Sequence, residues 1–215
     1  MSEAQVIASY PRSGSTWLRC VLFKLTRPGE DMDMEAVNSV IPTLEDDSEM
    51  LSSIQFPDYF KTHQLRCGQR IIHLHRHVGD VLVSYWHYLR KFNYEQRTLE
   101  EFLEDLDYGQ EWRDHANHYF PCEVDISYEQ LKNPKVIKQV IPDASLAQIN
   151  KALTACAIDK LRVMEKHGFG SRPTGDPEIK FFRKGTTGQW KDLPLEIGET
   201  LIEKNHKELR MLGYL

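Results

Sequence analysis

The sequence predicts a single α/β domain over residues 1–215, in which a central parallel sheet is flanked by helices. Short apolar runs alternate along the chain with segments of helical periodicity, as expected when helices connect parallel strands. The first apolar run, QVIASY at 5–10, passes directly into a turn of small and hydroxyl residues that opens a helix. No Pro-, Gly- or Ser-rich linker divides the 215 residues, which suffice for one sizeable core.

The strands and helices follow from the residue pattern. Apolar runs predict strands at 5–10, 58–62, 70–75 and 123–127. Helical spacing of apolar residues, or a cap such as Thr98 before an acidic first turn, predicts helices at 15–25, 80–91, 98–107, 129–140, 145–154, 158–166 and 195–211. The acidic segment 27–56 predicts a short helix between loops, and the Gly- and Pro-containing segment 168–190 predicts a long loop.

Composition and charge narrow the classes of function. The chain is 40% apolar and 27% charged with a formal net charge of -5, so general nucleic-acid binding is not expected, although a local basic pocket is compatible. The cysteines lack metal-ligand spacing and predict reduced, mostly buried thiols at Cys20, Cys67, Cys122 and Cys156. No apolar run has the length of a membrane span and the N-terminus has no leader pattern, so we expect a cytoplasmic protein.

The turn after the first strand, PRSGST at 11–16, has the composition of an oxyanion site. A helix that starts here presents unpaired backbone N–H groups and the positive end of its dipole. Gly14 permits close approach of the backbone. Hydroxyls and a forked guanidinium can donate to phosphate or sulfate oxygens from Ser13, Ser15, Thr16 and Arg12. The alternative interpretation is an ordinary Ser/Thr helix cap.

Four stretches together resemble one enzyme family. They are SYPRSGSTW at 9–17, KTH at 61–63, RHVGDVLVS at 76–84 and RKGTTGQWK at 183–191. In this order they are similar to the phosphate-binding and KTH motifs of the cytosolic-type sulfotransferases, which use 3′-phosphoadenosine 5′-phosphosulfate (PAPS) as donor. The resemblance covers most of the chain and implies that family's P-loop-like nucleotide-binding fold.

The resemblance also implies a site for PAPS and for its product, adenosine 3′,5′-bisphosphate (PAP). The first loop would hold the 5′-phosphosulfate through Arg12, Ser13, Gly14, Ser15 and Thr16. The 3′-phosphate would be bound by Arg76, Ser84, Arg183, Lys184 and the Gly185 backbone. The adenine would contact Trp17 and Tyr128. Without the resemblance, Trp17 would be interpreted as core. For Arg76, the alternative is a surface ion pair with Asp80.

The family's reaction moves a sulfuryl group to a hydroxyl or amine of an acceptor, here expected to be a small molecule. His63 of KTH matches the family's general base, and Lys61 and Arg12 would stabilise the developing charge. Three more histidines alternate along the next strand and turn: His73, His75 and His77. They could suggest a metal site, but no Cys or carboxylate completes one with them, so no metal is expected.

The chain departs from the family pattern in several places. Arg12 stands where the cytosolic enzymes carry Lys, and the CAI triplet at 156–158 replaces their Thr-Ser-Phe contacts to adenine. Only Lys191 remains of the KxxxTVxxxE pairing motif at 191–200, so a dimer of that kind is not expected and the oligomeric state stays open. The acidic stretch 30–49 is either a solvated surface or a lid over the acceptor pocket. The acceptor itself is not identified.

Two alternatives from other classes remain open at this point. One is a P-loop kinase-like nucleotide enzyme. It is disfavoured because a Walker A loop, GxxxxGK[ST], needs a leading Gly and a Lys where this chain has Ser15. The other is a non-catalytic nucleotide-binding relative with the same fold, and the intact KTH argues against it.

Overall fold

A parallel four-stranded sheet forms the centre of the computed structural model, which describes residues 4–45, 58–65, 70–166, 175–176 and 178–215. Its strands are β1 (Gln5–Ser9), β2 (Tyr59–Thr62), β3 (Arg70–His75) and β4 (Val124–Ser127). They lie in the order β2–β1–β3–β4, and every neighbouring pair is parallel. The predicted α/β class with a central parallel sheet is confirmed.

Helices account for most of the remaining described chain. They are α1 (Ser15–Thr26), α2 (Met34–Val40), α3 (Val78–Lys91), α4 (Leu99–Asp105), α5 (Gln110–Tyr119), α6 (Pro134–Val140), α7 (Leu146–Ala155), α8 (Ile158–Glu165), α9 (Leu195–Lys204) and α10 (His206–Met211). Short 3₁₀ helices lie at Tyr128–Gln130 and Gln189–Asp192. Within the described segments, no helix has both the length and the apolar character needed to cross a membrane.

Alternation along β3 places helices on both faces of the sheet. Ile72 and Leu74 are fully buried in a cluster that includes residues of α1, α6 and α7. His73 points to the other face, where its ring stacks on Tyr119 of α5 with centroids 5.5 Å apart. Because successive strand residues point to opposite faces, α1 and α5 lie on opposite sides of the sheet.

The structure corrects the sequence prediction at three helices. The pattern gave no element at 108–122, where α5 forms, because its buried positions, Trp112, His115, Ala116 and Tyr119, include a histidine and are separated by polar and charged residues. The predicted helix 129–140 is a 3₁₀ turn followed by α6, which starts afresh at the capping Asn133. The predicted helix 195–211 is interrupted at Asn205.

Two other sequence predictions are resolved in part. The predicted segments 27–56 and 168–190 lie partly outside the described residues, and the short helix expected in the first is α2. Cys20 and Cys156 are buried free thiols, as predicted, and Cys122 is a half-buried one. Cys67 lies outside the described residues.

Trp112 tests the packing of α5. Its side chain is 2% exposed, and its Nε1 donates to the Arg76 carbonyl at 3.1 Å. We expect Trp112→Ala to lower the free energy of unfolding by about 3–5 kcal/mol, through a lost core side chain and the cavity left behind. Trp112→Phe keeps most of the burial and should cost about 1–3 kcal/mol for the carbonyl left without its partner. Urea unfolding followed by circular dichroism measures both, and equal losses for the two variants would contradict this account.

Candidate active site

The carboxyl ends of the parallel strands open into a cavity of about 1040 Å³. Loops that follow parallel strands meet at one edge of the sheet, which is why motifs far apart in sequence converge here. Most of the predicted site residues line this cavity: Arg12, Gly14, Ser15, Thr16, Trp17, His63, Arg76, Ser84, Tyr128, Arg183, Lys184 and Gly185. Ser13 and Lys61 are buried beside it.

The turn after β1 is not an ordinary Ser/Thr helix cap. The N-cap of α1 is Gly14, in the left-handed region at φ 102, and no side chain caps the helix. A Cβ at this position would lie 2.7 Å from Cδ2 of Tyr128, so glycine lets that ring close over the turn. Ser13 Oγ is buried without a hydrogen-bond partner among the described residues. Uncapped helix amides and a buried hydroxyl remain to bind an anion.

Three arginines concentrate positive charge around the turn. Burial, together with the neighbouring cations of Arg76 and Arg183, lowers the pKa of Arg12 to about 10. Burial, followed by the charge of Arg76, also lowers the pKa of Arg183. Arg76 Nε is buried and has no hydrogen-bond partner within the described chain. Like charges held this close favour an anionic ligand between them.

Arg12 and Ser84 contact each other. The Arg12 guanidinium lies between the rings of Tyr88 and Phe181, at 4.8 and 4.9 Å from their centroids. Its Nε donates to Ser84 Oγ at 3.2 Å. The sequence grouped Ser84 with Arg76, whereas the structure places the hydroxyl against Arg12.

Asp80 ties the C-terminal loop to the start of α3. Its carboxylate accepts from the backbone N–H groups of Gly188 and Gln189, both at 2.7 Å, and of Trp190 at 3.3 Å. It also lies 3.8 Å from Arg76. Arg76 and Asp80 are 4% and 0% exposed, so the interpretation as a surface pair is wrong. The sequence indicated Asp80 only as a possible partner of Arg76, because its partners in the loop are more than 100 positions away.

Trp17 and Tyr128 form part of the cavity wall. Trp17 is half-buried, and its Nε1 donates to the Cys156 carbonyl at 2.8 Å, which fixes the indole plane. Tyr128 lies beneath Arg76, whose guanidinium carbon is 4.0 Å from the ring centroid. Both rings present aromatic surface to the cavity rather than filling the interior of the core.

His63 is oriented by the end of β1. Its Nδ1 lies 2.6 Å from the carbonyl oxygen of Ser9. Burial, together with the charge of Lys61, lowers the pKa of His63 to about 4. The sequence missed Ser9, because only the parallel register, which pairs Ala8 with Thr62, brings the following residues of β1 and β2 together.

The histidines of β3 lie in a separate hydrogen-bonded cluster. The ring of His73 bonds Asp125 Oδ1 at 2.6 Å, and Nε2 of His75 lies 3.3 Å from Asp125 Oδ2. Ligand atoms of His73, Cys122 and Asp125 all lie within 4.8 Å of one another. The sequence argument that no Cys or carboxylate accompanies these histidines was therefore wrong. The 2.6 Å separation is that of a hydrogen bond, so the contacts by themselves assign no metal here.

This parallel sheet, with an uncapped helix N-terminus and clustered arginines at its carboxyl edge, defines an α/β protein of the P-loop-like nucleotide-binding class. Residues 3–210 match the sulfotransferase domain family. The chain belongs to this family, and it is an enzyme that transfers sulfuryl groups. This membership decides against the kinase-like and non-catalytic alternatives.

Individual relatives are similar over most of the chain. Sulfotransferase 1 family member D1 of Rattus norvegicus is 28% identical, covering 87% of this chain and 76% of the relative. Flavonol 3-sulfotransferase of Flaveria bidentis is 26% identical, covering 94% and 78%. Retinol dehydratase, solved in complex with androsterone and inactive cofactor PAP, superimposes with a TM-score of 0.75 at 18% identity, covering 96% of this chain and 80% of that one.

Asp80 variants test the attachment of the C-terminal loop. Asp80→Ala would leave the loop amides at 188–190 unpaired and Arg76 buried without its carboxylate. We expect these amides to exchange hydrogen about 10- to 100-fold faster, since each lost bond to a buried donor costs about 1–3 kcal/mol. Hydrogen exchange read by mass spectrometry measures this, with the exposed Asp192→Asn as control. Unchanged exchange in Asp80→Ala would show that the loop is held by other contacts.

Proposed function

We propose that this enzyme transfers the sulfuryl group of PAPS to a hydroxyl or amine of a small-molecule acceptor, with His63 as general base. The observation that carries the proposal is the convergence, in one cavity, of an uncapped helix N-terminus, three arginines and a neutral histidine. PAPS carries anionic groups at its 5′ and 3′ positions, and the positive groups of the cavity are suited to bind both. The similar fold solved with PAP supports the choice of nucleotide.

The unsatisfied groups of the cavity fit PAPS. Arg12, Ser13, Gly14, Ser15 and Thr16 would hold the 5′-phosphosulfate, for which the orphaned Ser13 hydroxyl and the α1 amides are suited. When bound, the donor supplies an activated sulfuryl group and a stable anionic leaving group.

The 3′-phosphate would be held at the other two arginines of this group, Arg76 and Arg183. The residues proposed for it are Arg76, Ser84, Arg183, Lys184 and the Gly185 backbone. Support comes from the buried, unpartnered Nε of Arg76 and from the depressed pKa of Arg183, whose charge is poorly compensated. The adenine would contact Trp17 and Tyr128, whose rings flank the cavity.

The hydrogen bond to Ser9 defines the tautomer of His63. A carbonyl oxygen can only accept, so Nδ1 carries the proton and Nε2 keeps its lone pair. Since burial keeps the pKa of His63 near 4, the imidazole is neutral at pH 7 and can take the acceptor's proton at Nε2.

Lys61 and Arg12 are proposed to stabilise the charge that develops on the transferring group. Arg12 remains a cation at neutral pH because its pKa, although lowered, is about 10. In this chain it therefore contributes charge and hydrogen bonds rather than a proton to the leaving group.

The wider setting follows from the relatives. A cytoplasmic location is proposed from relatives named as cytosolic sulfotransferases, such as one from Arabidopsis thaliana. A single domain over residues 1–215, a small-molecule acceptor, and no nucleic-acid partner or metal remain predictions.

His63→Ala tests the general base. With donor saturating, we expect turnover to fall by about 10²-fold or more while PAP affinity stays near that of the wild type. Activity of the wild type should be lost as pH falls through the pKa of His63, because only the neutral ring accepts a proton. Radiolabelled PAPS with phenol, 1-hexanol and aniline as probe acceptors provides the assay, and the exposed His206→Ala is the control. Near-wild-type turnover in His63→Ala would rule out this assignment.

Arg76→Ala tests recognition of the 3′-phosphate. Two or three charge-assisted contacts of about 1.5–3 kcal/mol each should make PAP bind at least about 10²-fold more tightly than AMP. Arg76→Ala should remove most of this preference, whereas Arg76→Lys should retain part of it. Calorimetric titration of both nucleotides measures the ratio, and Arg70→Ala, at the opposite end of β3, is the control. Equal affinity of the wild type for PAP and AMP would reject the proposed donor.

A further inference from the structure

Glu45 holds the turn that carries His63, although it lies outside the KTH stretch. One carboxylate oxygen, Oε1, accepts from the Thr62 hydroxyl, from the His63 backbone N–H at 2.8 Å and from the Gln64 backbone N–H at 3.2 Å. Hydrogen bonds to an ionised acceptor are stronger than those between neutral groups. The Glu45 carboxylate thus bonds three consecutive residues of the turn that carries the His63 imidazole.

The chain leading to Glu45 is itself attached to β2. Thr43 and Lys61 form an isolated parallel bridge. Lys61 N donates to the Pro42 carbonyl at 2.9 Å, and Leu44 N donates to the Lys61 carbonyl at 2.8 Å. This short segment pairs with β2 and ends at Glu45. The backbone pairing therefore places the Glu45 carboxylate at the end of β2, next to His63.

Charges of both signs surround His63. Burial is the largest influence on the pKa of His63 and lowers it, the cations of Lys61 and Arg12 lower it further, and the carboxylate of Glu45 raises it. His115 of α5 also faces this group, and burial keeps its own pKa at about 3, so it is neutral. In this set Glu45 provides the negative charge that opposes the two cations.

We propose that Glu45 is a positioning residue for the general base: it fixes the His63 backbone through the turn amides, and its negative charge favours the imidazolium that forms during transfer. The inference rests on the proposed role of His63. It also assigns Glu45 to the base rather than to an acceptor lid. Of the other acidic residues in the stretch suggested for that lid, Asp46, Asp47 and Glu49 lie outside the described residues, and Glu30, Asp31, Asp33 and Glu35 are exposed.

Three variants separate hydrogen bonding from charge. Glu45→Gln keeps an oxygen that can accept from the turn but removes the charge, and Glu45→Ala removes both. Glu35→Gln removes the same charge from an exposed position in the first turn of α2 and is the matched control. Each protein is assayed with saturating radiolabelled PAPS and the acceptor panel of phenol, 1-hexanol and aniline. PAP affinity is measured by calorimetry, and the His63 ring is titrated by NMR.

We expect Glu45→Ala to lower turnover by about 10- to 100-fold, as a small displacement of a catalytic group does, with PAP affinity close to that of the wild type. Glu45→Gln should recover most of this turnover at high pH. Its His63 titration and the acid limb of its rate profile should move to lower pH by about 0.5–1 unit, because the nearby negative charge is gone. Glu35→Gln should match the wild type in every measurement.

Distinct outcomes overturn the proposal. It fails if Glu45→Ala keeps wild-type turnover and His63 titration, or if Glu45→Gln is as impaired as Glu45→Ala. It also fails if PAP affinity falls in parallel with turnover, which would indicate a general structural role. If Glu45→Ala does not fold, Glu45→Gln and its NMR titration still decide the charge effect. Retained turnover in His63→Ala would reject the proposed base instead, and the NMR titration distinguishes the two failures.

Discussion

Parallel pairing of β1 with a strand on either side is the constraint on which the site depends. It makes three strands end at one edge of the sheet, so that Ser9 finishes beside His63 and Arg76 follows directly after β3. The register is held by burial, because a shift of one residue would turn Ile72 and Leu74 away from the core. The apolar core therefore determines where the polar groups of the site meet.

The second determinant of the site is a group of arginines whose positive charge is only partly neutralised by nearby carboxylates. Burial and neighbouring arginine cations lower the pKa of Arg12 and of Arg183, and the buried carboxylate of Asp80 lies 3.8 Å from Arg76. Asp80 also accepts hydrogen bonds from the amides of the C-terminal loop. This attachment holds the loop of Arg183 close to Arg12 and Arg76. The resulting positive potential suits a ligand with two separated anionic groups. At His63 the balance differs, since a carboxylate opposes the cations there.

Much of the fold could be predicted from local pattern. All four strands were located to within a residue or two, because each is a short apolar run, and the long amphipathic helices were located for a similar reason. Helix α5 was not predicted because its buried side includes His115 beside Trp112, so that the apolar pattern is broken. The hydroxyls after β1 suggested a helix cap, yet the cap is Gly14. Its left-handed backbone favours glycine, and the close approach of Tyr128 leaves no room for a Cβ. The metal argument failed because Asp125 lies opposite His73 only through strand pairing.

The sequence by itself determined the chemistry available to this protein. The sequence shows an oxyanion turn, the KTH histidine and two further basic motifs. Each motif is a contiguous stretch, so the spacing of its residues can be read directly from the sequence. The tertiary structure decided which of these groups touch. Ser9 orients His63, Asp80 holds the loop of Arg183, and Glu45 fixes the KTH turn, all through contacts between distant segments. Such contacts depend on strand order and register, and these follow from the packing of the whole core rather than from any local pattern.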